Sequence, residues 1–144
     1  MKAYNIRVYG IIVNGNEEVL ISDERRHGQS FSKFPGGGLE WGEGFKDCLT
    51  RELQEELQID VESAELFYLT EHFQKSAFNE DHQLISIYYA VKSFDGVIET
   101  HDHEVPMIFE GEEFRWLRLD QSNTDDLTFP IDKLVLNKLV KEHQ

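Results

Sequence analysis

Along the chain the spacing of apolar residues changes period several times, and each change predicts an element. Residues 4–13 are dense in β-branched and aromatic side chains and predict a strand. Asn14, Gly15 and Asn16 form a turn signal, so residues 18–22 read as the strand that returns from it. Residues 23–34 read as a polar loop, followed by Pro35, Gly36, Gly37 and Gly38, which read as a second loop shaped by the backbone alone. Over residues 44–57 the period lengthens. Phe45, Leu49, Leu53 and Leu57 recur every four positions, the spacing of one helical face.

Residues 64–73 and 84–92 predict two more strands. The second is almost wholly apolar and reads as central in a sheet. Residues 95–113 read as an acidic loop and residues 114–119 as a short strand. Pro130, followed by Ile131, Leu134, Val135, Leu139 and Val140, predicts a second amphipathic helix. Strands and helices mix without strict alternation, which predicts an α/β (mixed α+β) fold with a mixed sheet and helices on its faces. No repeat or linker interrupts the chain, and its 144 residues suit one domain, 1–144.

Charge narrows the function. Acidic residues number 28 against 14 basic ones, a formal net charge of −14. Such a surface repels a nucleic-acid backbone, so no nucleic-acid partner is expected. A phosphate-bearing small molecule needs a cation as bridge. No apolar run approaches the roughly 20 residues of a membrane helix, so no membrane partner is expected. Arg7 and Asn14 break the apolar core that a secretory leader would need, and Cys48 has no second cysteine to pair with. Both readings suit a cytoplasmic protein.

Candidate chemistry concentrates in residues 36–59. On the predicted helix Glu52, Glu55 and Glu56 stand at i, i+3 and i+4, one arc beside the leucine face. Like charges at that spacing repel, so the arc calls for a counter-charge. Two sources are open: Arg51, four residues before Glu55, and a divalent cation, which takes oxygen ligands. The glycines ahead of the helix let backbone approach metal and phosphate closely. A charge run alone is most often a solvated face, so the wider pattern decides.

That pattern resembles the Nudix box, Gly-x5-Glu-x7-Arg-Glu-U-x-Glu-Glu-x-Gly-U, where U is a bulky aliphatic residue. Gly37, Glu43, Arg51, Glu52, Leu53, Glu55, Glu56 and Ile59 match it over residues 37–59. Gln58 departs from it, standing where the box ends its helix with glycine.

The resemblance to the Nudix hydrolases implies an α/β/α sandwich and magnesium- or manganese-dependent hydrolysis of a pyrophosphate linkage in a nucleotide derivative. It implies Glu52, Glu55, Glu56 and the Gly36 or Gly37 carbonyl as metal ligands, Glu52 also as a candidate base, and Arg51 as the residue that orients the carboxylates. Glu43 is similar to the acid that ties loop to helix. Of the downstream acids Glu99, Glu104, Glu110, Glu112 and Glu113, the resemblance favours Glu110 as a further catalytic acid, since Gly111 follows it and Trp116 lies six residues on. Arg25 and Arg26, with Gly37 and Gly38, are candidates for substrate phosphate.

A nucleoside triphosphate is the favoured substrate. Many ADP-ribose hydrolases of the family carry a proline downstream of the box, and none stands here between Ile59 and Pro106. An ADP-ribose or NDP-sugar pyrophosphatase and a non-catalytic nucleotide-sensing module are the alternatives, and a homodimer is an option that relatives suggest. His101 and His103 lack the further Cys or His of a zinc site. Phe31, Phe34, Phe73 and Phe78 read as core, Trp41 as a residue at the site mouth, and Cys48 as packing.

Overall fold

A computed structural model describes residues 1–144. In chain order the elements are β1 (Ala3–Ile11), β2 (Glu18–Arg26), β3 (Gln29–Lys33), β4 (Gly36–Gly38), α1 (Phe45–Leu57), β5 (Asp60–Leu69), β6 (His82–Asp95), β7 (Gly111–Arg118) and α2 (Pro130–Glu142). This is a mixed α+β chain with two sheets, and its contacts divide it into two compact units. Residues 1–11 with 35–98 make the first, and residues 12–34 with 99–144 the second. No helix is long and apolar enough to cross a membrane.

The first unit holds a four-stranded sheet in the order β4-β1-β6-β5. Strands β1 and β6 run parallel, and the other pairs are antiparallel, so the sheet is mixed. As the apolar run predicts, β6 lies inside the sheet, with Ile87 and Tyr88 fully buried. Helix α1 buries Cys48, Leu49, Leu53 and Leu57, whereas Phe45 is 41% exposed. A spacing of four overshoots the helical turn by 40°, so over three steps Phe45 swings about 120° from Leu57. Gly10 lets the helix close on β1: a Cβ there would lie 3.0 Å from Leu53 Cδ1 and 3.2 Å from Leu49 Cδ1.

The glycine run is a strand rather than the expected loop. Gly36, Gly37 and Gly38 pair antiparallel with Tyr9, Val8 and Arg7. Strand pairing needs only backbone donors and acceptors, which glycine keeps. Strand β5 occupies residues 60–69, earlier than expected, and carries bulges along β6.

The second unit holds an antiparallel sheet in the order β3-β2-β7. Here the sequence reading of 23–34 as a loop is overturned, because β2 continues to Arg26 and β3 follows. Between them His27 and Gly28 have φ of 52° and 77°, the left-handed pair of a two-residue hairpin turn. Four charged residues in a row, Asp23 to Arg26, hide this strand from a periodicity based on apolar residues. Nor does β2 form a hairpin ladder with β1, a single Val13–Val19 bridge aside. Strand β7 begins three residues before the prediction, again because its first turn-side residues are Glu112 and Glu113. Helix α2 starts at Pro130, as predicted, and buries Ile131, Val135, Leu136 and Leu139.

Candidate active site

In the first unit, β4 delivers the chain through residues 39–44 into α1, and one arginine ties the two ends together. Arg51 donates through Nε and Nη2 to both oxygens of Glu43, at 2.6 and 2.9 Å. It donates through Nη1 to Glu52 at 2.9 Å and to Glu55 at 3.4 Å. Nη2 also reaches the Gly38 carbonyl at 3.0 Å. The guanidinium thus spends its fork on Glu43 and divides the rest between strand and helix. It supplies the counter-charge that the acid arc requires, most strongly to Glu43 and Glu52.

The electrostatics follow from these contacts. Hydrogen bonds from Arg51, then the Glu40 N–H, hold the Glu43 carboxyl at about 2. Bonding to Glu43 raises Arg51 further above its already high value, so it stays charged. Burial, reinforced by the Glu43 charge, pushes the Cys48 thiol up to about 11, so it packs as a neutral group.

Glu56 turns to the glycine strand, where Gly36 N–H donates to its Oε2 at 3.3 Å. Glu52 lies against the same strand. A Cβ at Gly37 would sit 2.5 Å from Glu52 Oε1 and 2.7 Å from Oε2. No side chain fits between backbone and carboxylate. Glu55 is the most open of the three acids, with 59% of its side chain exposed. The structure therefore brings Gly38, Glu52 and Glu55 together around Arg51, with Gly37 against Glu52 and Gly36 bonded to Glu56 along the same strand. This donor set consists of carboxylate and carbonyl oxygens, which suits magnesium or manganese.

At the position of the missing box glycine, Gln58 adopts φ 56°, ψ 38° and closes the helix in the left-handed conformation. Its side-chain amide donates to the Glu55 carbonyl at 2.9 Å, and its N–H to Gln54 O at 3.0 Å. Two bonds at the helix end accompany the strained backbone.

In the second unit, Glu110 accepts from the His27 N–H at 2.7 Å and pairs with Arg25 at 3.7 Å. Arg25 also donates to Ser30 Oγ at 2.9 Å. Arg26 pairs with Glu24 at 3.3 Å, its own side chain 68% exposed. Among the aromatic candidates Phe34 is buried as expected, while Phe73 and Phe78 are each 63% exposed and so are not core. Trp41 is fully exposed.

The sequence reading missed a buried charged cluster here. Glu24 and Glu112 are register partners on β2 and β7, so their side chains share a face. Lys33 approaches Glu24 at 3.6 Å, each with 6% of its side chain exposed. Ser22 Oγ donates to Glu112 at 2.6 Å. Burial alone would push the Glu24 carboxyl up, but the hydrogen bond with Glu112 and the charges of Lys33 and Arg26 hold it below its ordinary value. The available signal was Gly28, a turn residue between two polar runs.

Comparison with known proteins agrees with this geometry. The NUDIX domain family model matches residues 3–138. The chain is 32% identical over 141 residues to the 8-oxo-dGTP diphosphatase of Escherichia coli, covering 96% of this chain and 98% of that one. The structure described for MutT of Aliivibrio salmonicida and Vibrio cholerae superposes with a TM-score of 0.72 at 25% identity, covering 97% of this chain and 99% of that chain. The MutT NUDIX hydrolase of Burkholderia pseudomallei has the same fold, with a TM-score of 0.68 at 22% identity over 94% of this chain and 98% of that chain. Matched over nearly all its length, and with Glu43, Glu52 and Glu55 gathered around Arg51, the chain belongs to the Nudix family and is a hydrolase of phosphoric anhydride bonds.

Proposed function

We propose that the chain is a nucleoside triphosphate pyrophosphohydrolase that works with magnesium, or with manganese in its place, and releases a nucleoside monophosphate and pyrophosphate. The observation that carries this is the set of carboxylates on one helix, Glu52 and Glu56 against a side-chain-free strand and Glu55 open beside them, while Arg51 is committed to holding the loop. The full-length similarity to an 8-oxo-dGTP diphosphatase supports the substrate class.

In this reading Glu52, Glu55, Glu56 and the Gly36 carbonyl hold the cation. When bound, it polarises phosphate oxygens and makes water a better nucleophile. Arg51 acts on the chemistry through Glu52, whose carboxylate it holds against Gly37. The backbone of Gly37 and Gly38 offers a surface that a phosphate can approach closely. Arg25 and Arg26 supply positive charge to the substrate, and Glu110 supplies the further acid that accepts a proton. Glu112 competes with Glu110 for that role, because Ser22 fixes its carboxylate beside Glu24. Residues 1–144 act as one domain in this reading, in the cytoplasm, as a monomer or homodimer.

The test is hydrolysis of a mixed panel of nucleoside triphosphates, 8-oxo-dGTP, ADP-ribose and NDP-sugars with magnesium, the products identified by mass spectrometry. Nucleoside monophosphate with pyrophosphate is the expected outcome. Turnover of ADP-ribose or an NDP-sugar alone would replace the triphosphate reading. Glu110→Gln and Glu112→Gln, compared on the best substrate, assign the further acid to whichever variant loses turnover.

A further inference from the structure

Between β6 and β7, residues 99–110 cross the second unit, and one histidine pins them. His103 Nε2 lies 2.7 Å from Asp23 Oδ2, and Nδ1 lies 2.7 Å from the His101 carbonyl. Both ring nitrogens face acceptors. A neutral imidazole has one N–H and can satisfy only one of them, whereas the imidazolium satisfies both. The contact is enclosed, with 9% of the His103 side chain and 1% of the Asp23 side chain exposed.

Asp23 is built as an acceptor. It also takes Ser32 Oγ at 2.5 Å and Arg115 Nε at 2.8 Å. The groups that face His103 are thus Asp23 of β2 and, more distantly, Glu113 of β7, with Arg115 as the opposing cation on the far side of the carboxylate. On its own segment stand Asp102, Glu104 and His101, whose Nδ1 lies 3.7 Å from Glu113. Further along, Met107 O accepts from Ser30 Oγ and, at 3.5 Å, from Arg25, an anchor with no group that titrates between pH 6 and pH 9.

We propose that residues 99–110 form a pH-operated strap, closed by the His103 imidazolium and released at residues 99–102 when that ring loses its proton. On deprotonation the remaining N–H stays with the charged partner, Asp23. The other nitrogen then presents a lone pair to the His101 carbonyl, and the backbone there must move away. Residues 103–107 keep their anchors at Asp23 and Ser30. The Asp23 hydrogen bond and the acidic surroundings raise the His103 pKa above its ordinary value, against the opposing effect of burial. The sign follows: the closure is complete below the ordinary histidine pKa and is lost as pH rises through the higher folded value.

Two measurements on the whole protein test this from pH 6 to pH 9. Histidine side-chain NMR follows the His103 ring, and backbone 15N relaxation follows residues 99–105 and 107. Order parameters at 99–102 are expected to fall from the rigid range, about 0.85, to below about 0.6 as His103 titrates, with 105 and 107 unchanged. His103→Gln has a single amide nitrogen and cannot serve both acceptors, so its 99–102 segment should be mobile at every pH. Asp23→Asn should lower the ring pKa, and His103→Gln carries the test if that variant does not fold. Order that ignores pH in the native chain, or that survives in His103→Gln, overturns the strap.

Discussion

The two charged clusters are built in opposite ways. In the first unit Arg51 gathers Glu43, Glu52 and Glu55 from one loop and one helix, at most eight residues away in sequence. In the second unit Asp23 meets His103 and Arg115 across 80 and 92 positions, and Ser22 meets Glu112 across 90. The first cluster is partly open, with Glu55 mostly in solvent. The second is sealed, with Asp23 and Glu24 almost without exposure. An open local cluster can take up a cation and a substrate. A sealed long-range cluster ties strands together, and its charges have to be matched internally because water cannot reach them.

This contrast predicts a separation of effects, with rate the more sensitive quantity at Glu56 and stability the more sensitive at the buried Lys33–Glu24 pair. The largest effect is expected for Glu56→Gln. It should lower kcat about 10³-fold, roughly 4 kcal/mol of transition-state stabilisation, while thermal unfolding stays near that of the native chain. A drop in stability of comparable size would make Glu56 a structural residue and end the contrast.

Next comes Lys33→Met, which strands the buried Glu24 carboxylate. A stability loss of about 3 kcal/mol is expected in urea unfolding, the order for breaking a buried ion pair. Unchanged stability would show that Glu112 and Arg26 suffice without the lysine.

Arg51→Lys retains the charge but cannot form the fork to Glu43, and stability should fall with it. The pH dependence sharpens this test. The folded pKa of Glu43 is about 2, below its ordinary value of 4.5, so its contribution is present at neutral pH and is lost as pH falls from about 4.5 toward 2. In Arg51→Lys the acid transition should begin at higher pH, and an unshifted acid limb would remove Arg51 as the cause. The smallest effect is Gln58→Gly, which relieves the left-handed backbone at φ 56°. A gain of about 0.5 kcal/mol is expected, reduced by the lost bond to Glu55, and a melting scan reads it. A loss would mean that the side-chain bond outweighs the strain.

The same contrast explains what could be read from the residues alone. Helix α1, strand β6 and the start of α2 are carried by apolar spacing, which reflects burial directly. The box acids are legible because loop and helix bring near neighbours together. The first half of β2 is legible from Val19, Leu20 and Ile21, whereas its second half and β3 are not, since buried Asp23, Glu24 and Lys33 carry no hydrophobic period. The glycine run misleads for a related reason: the usual meaning of glycine is a turn, and only its partner β1 makes it a strand.

From the sequence alone came the family resemblance, the mixed fold class, the helix that carries Glu52, Glu55 and Glu56, and the expectation that Arg51 and Glu43 belong to it. These depend on short-range geometry, where rise and turn per residue convert spacing into position. The tertiary structure decided that β2 leaves β1 for a separate sheet, that Glu24 faces Glu112, and that His103 closes on Asp23. Pairing of strands far apart in the chain is chosen by the total burial and hydrogen bonding of the folded state, and that sum is not written in any local stretch of residues.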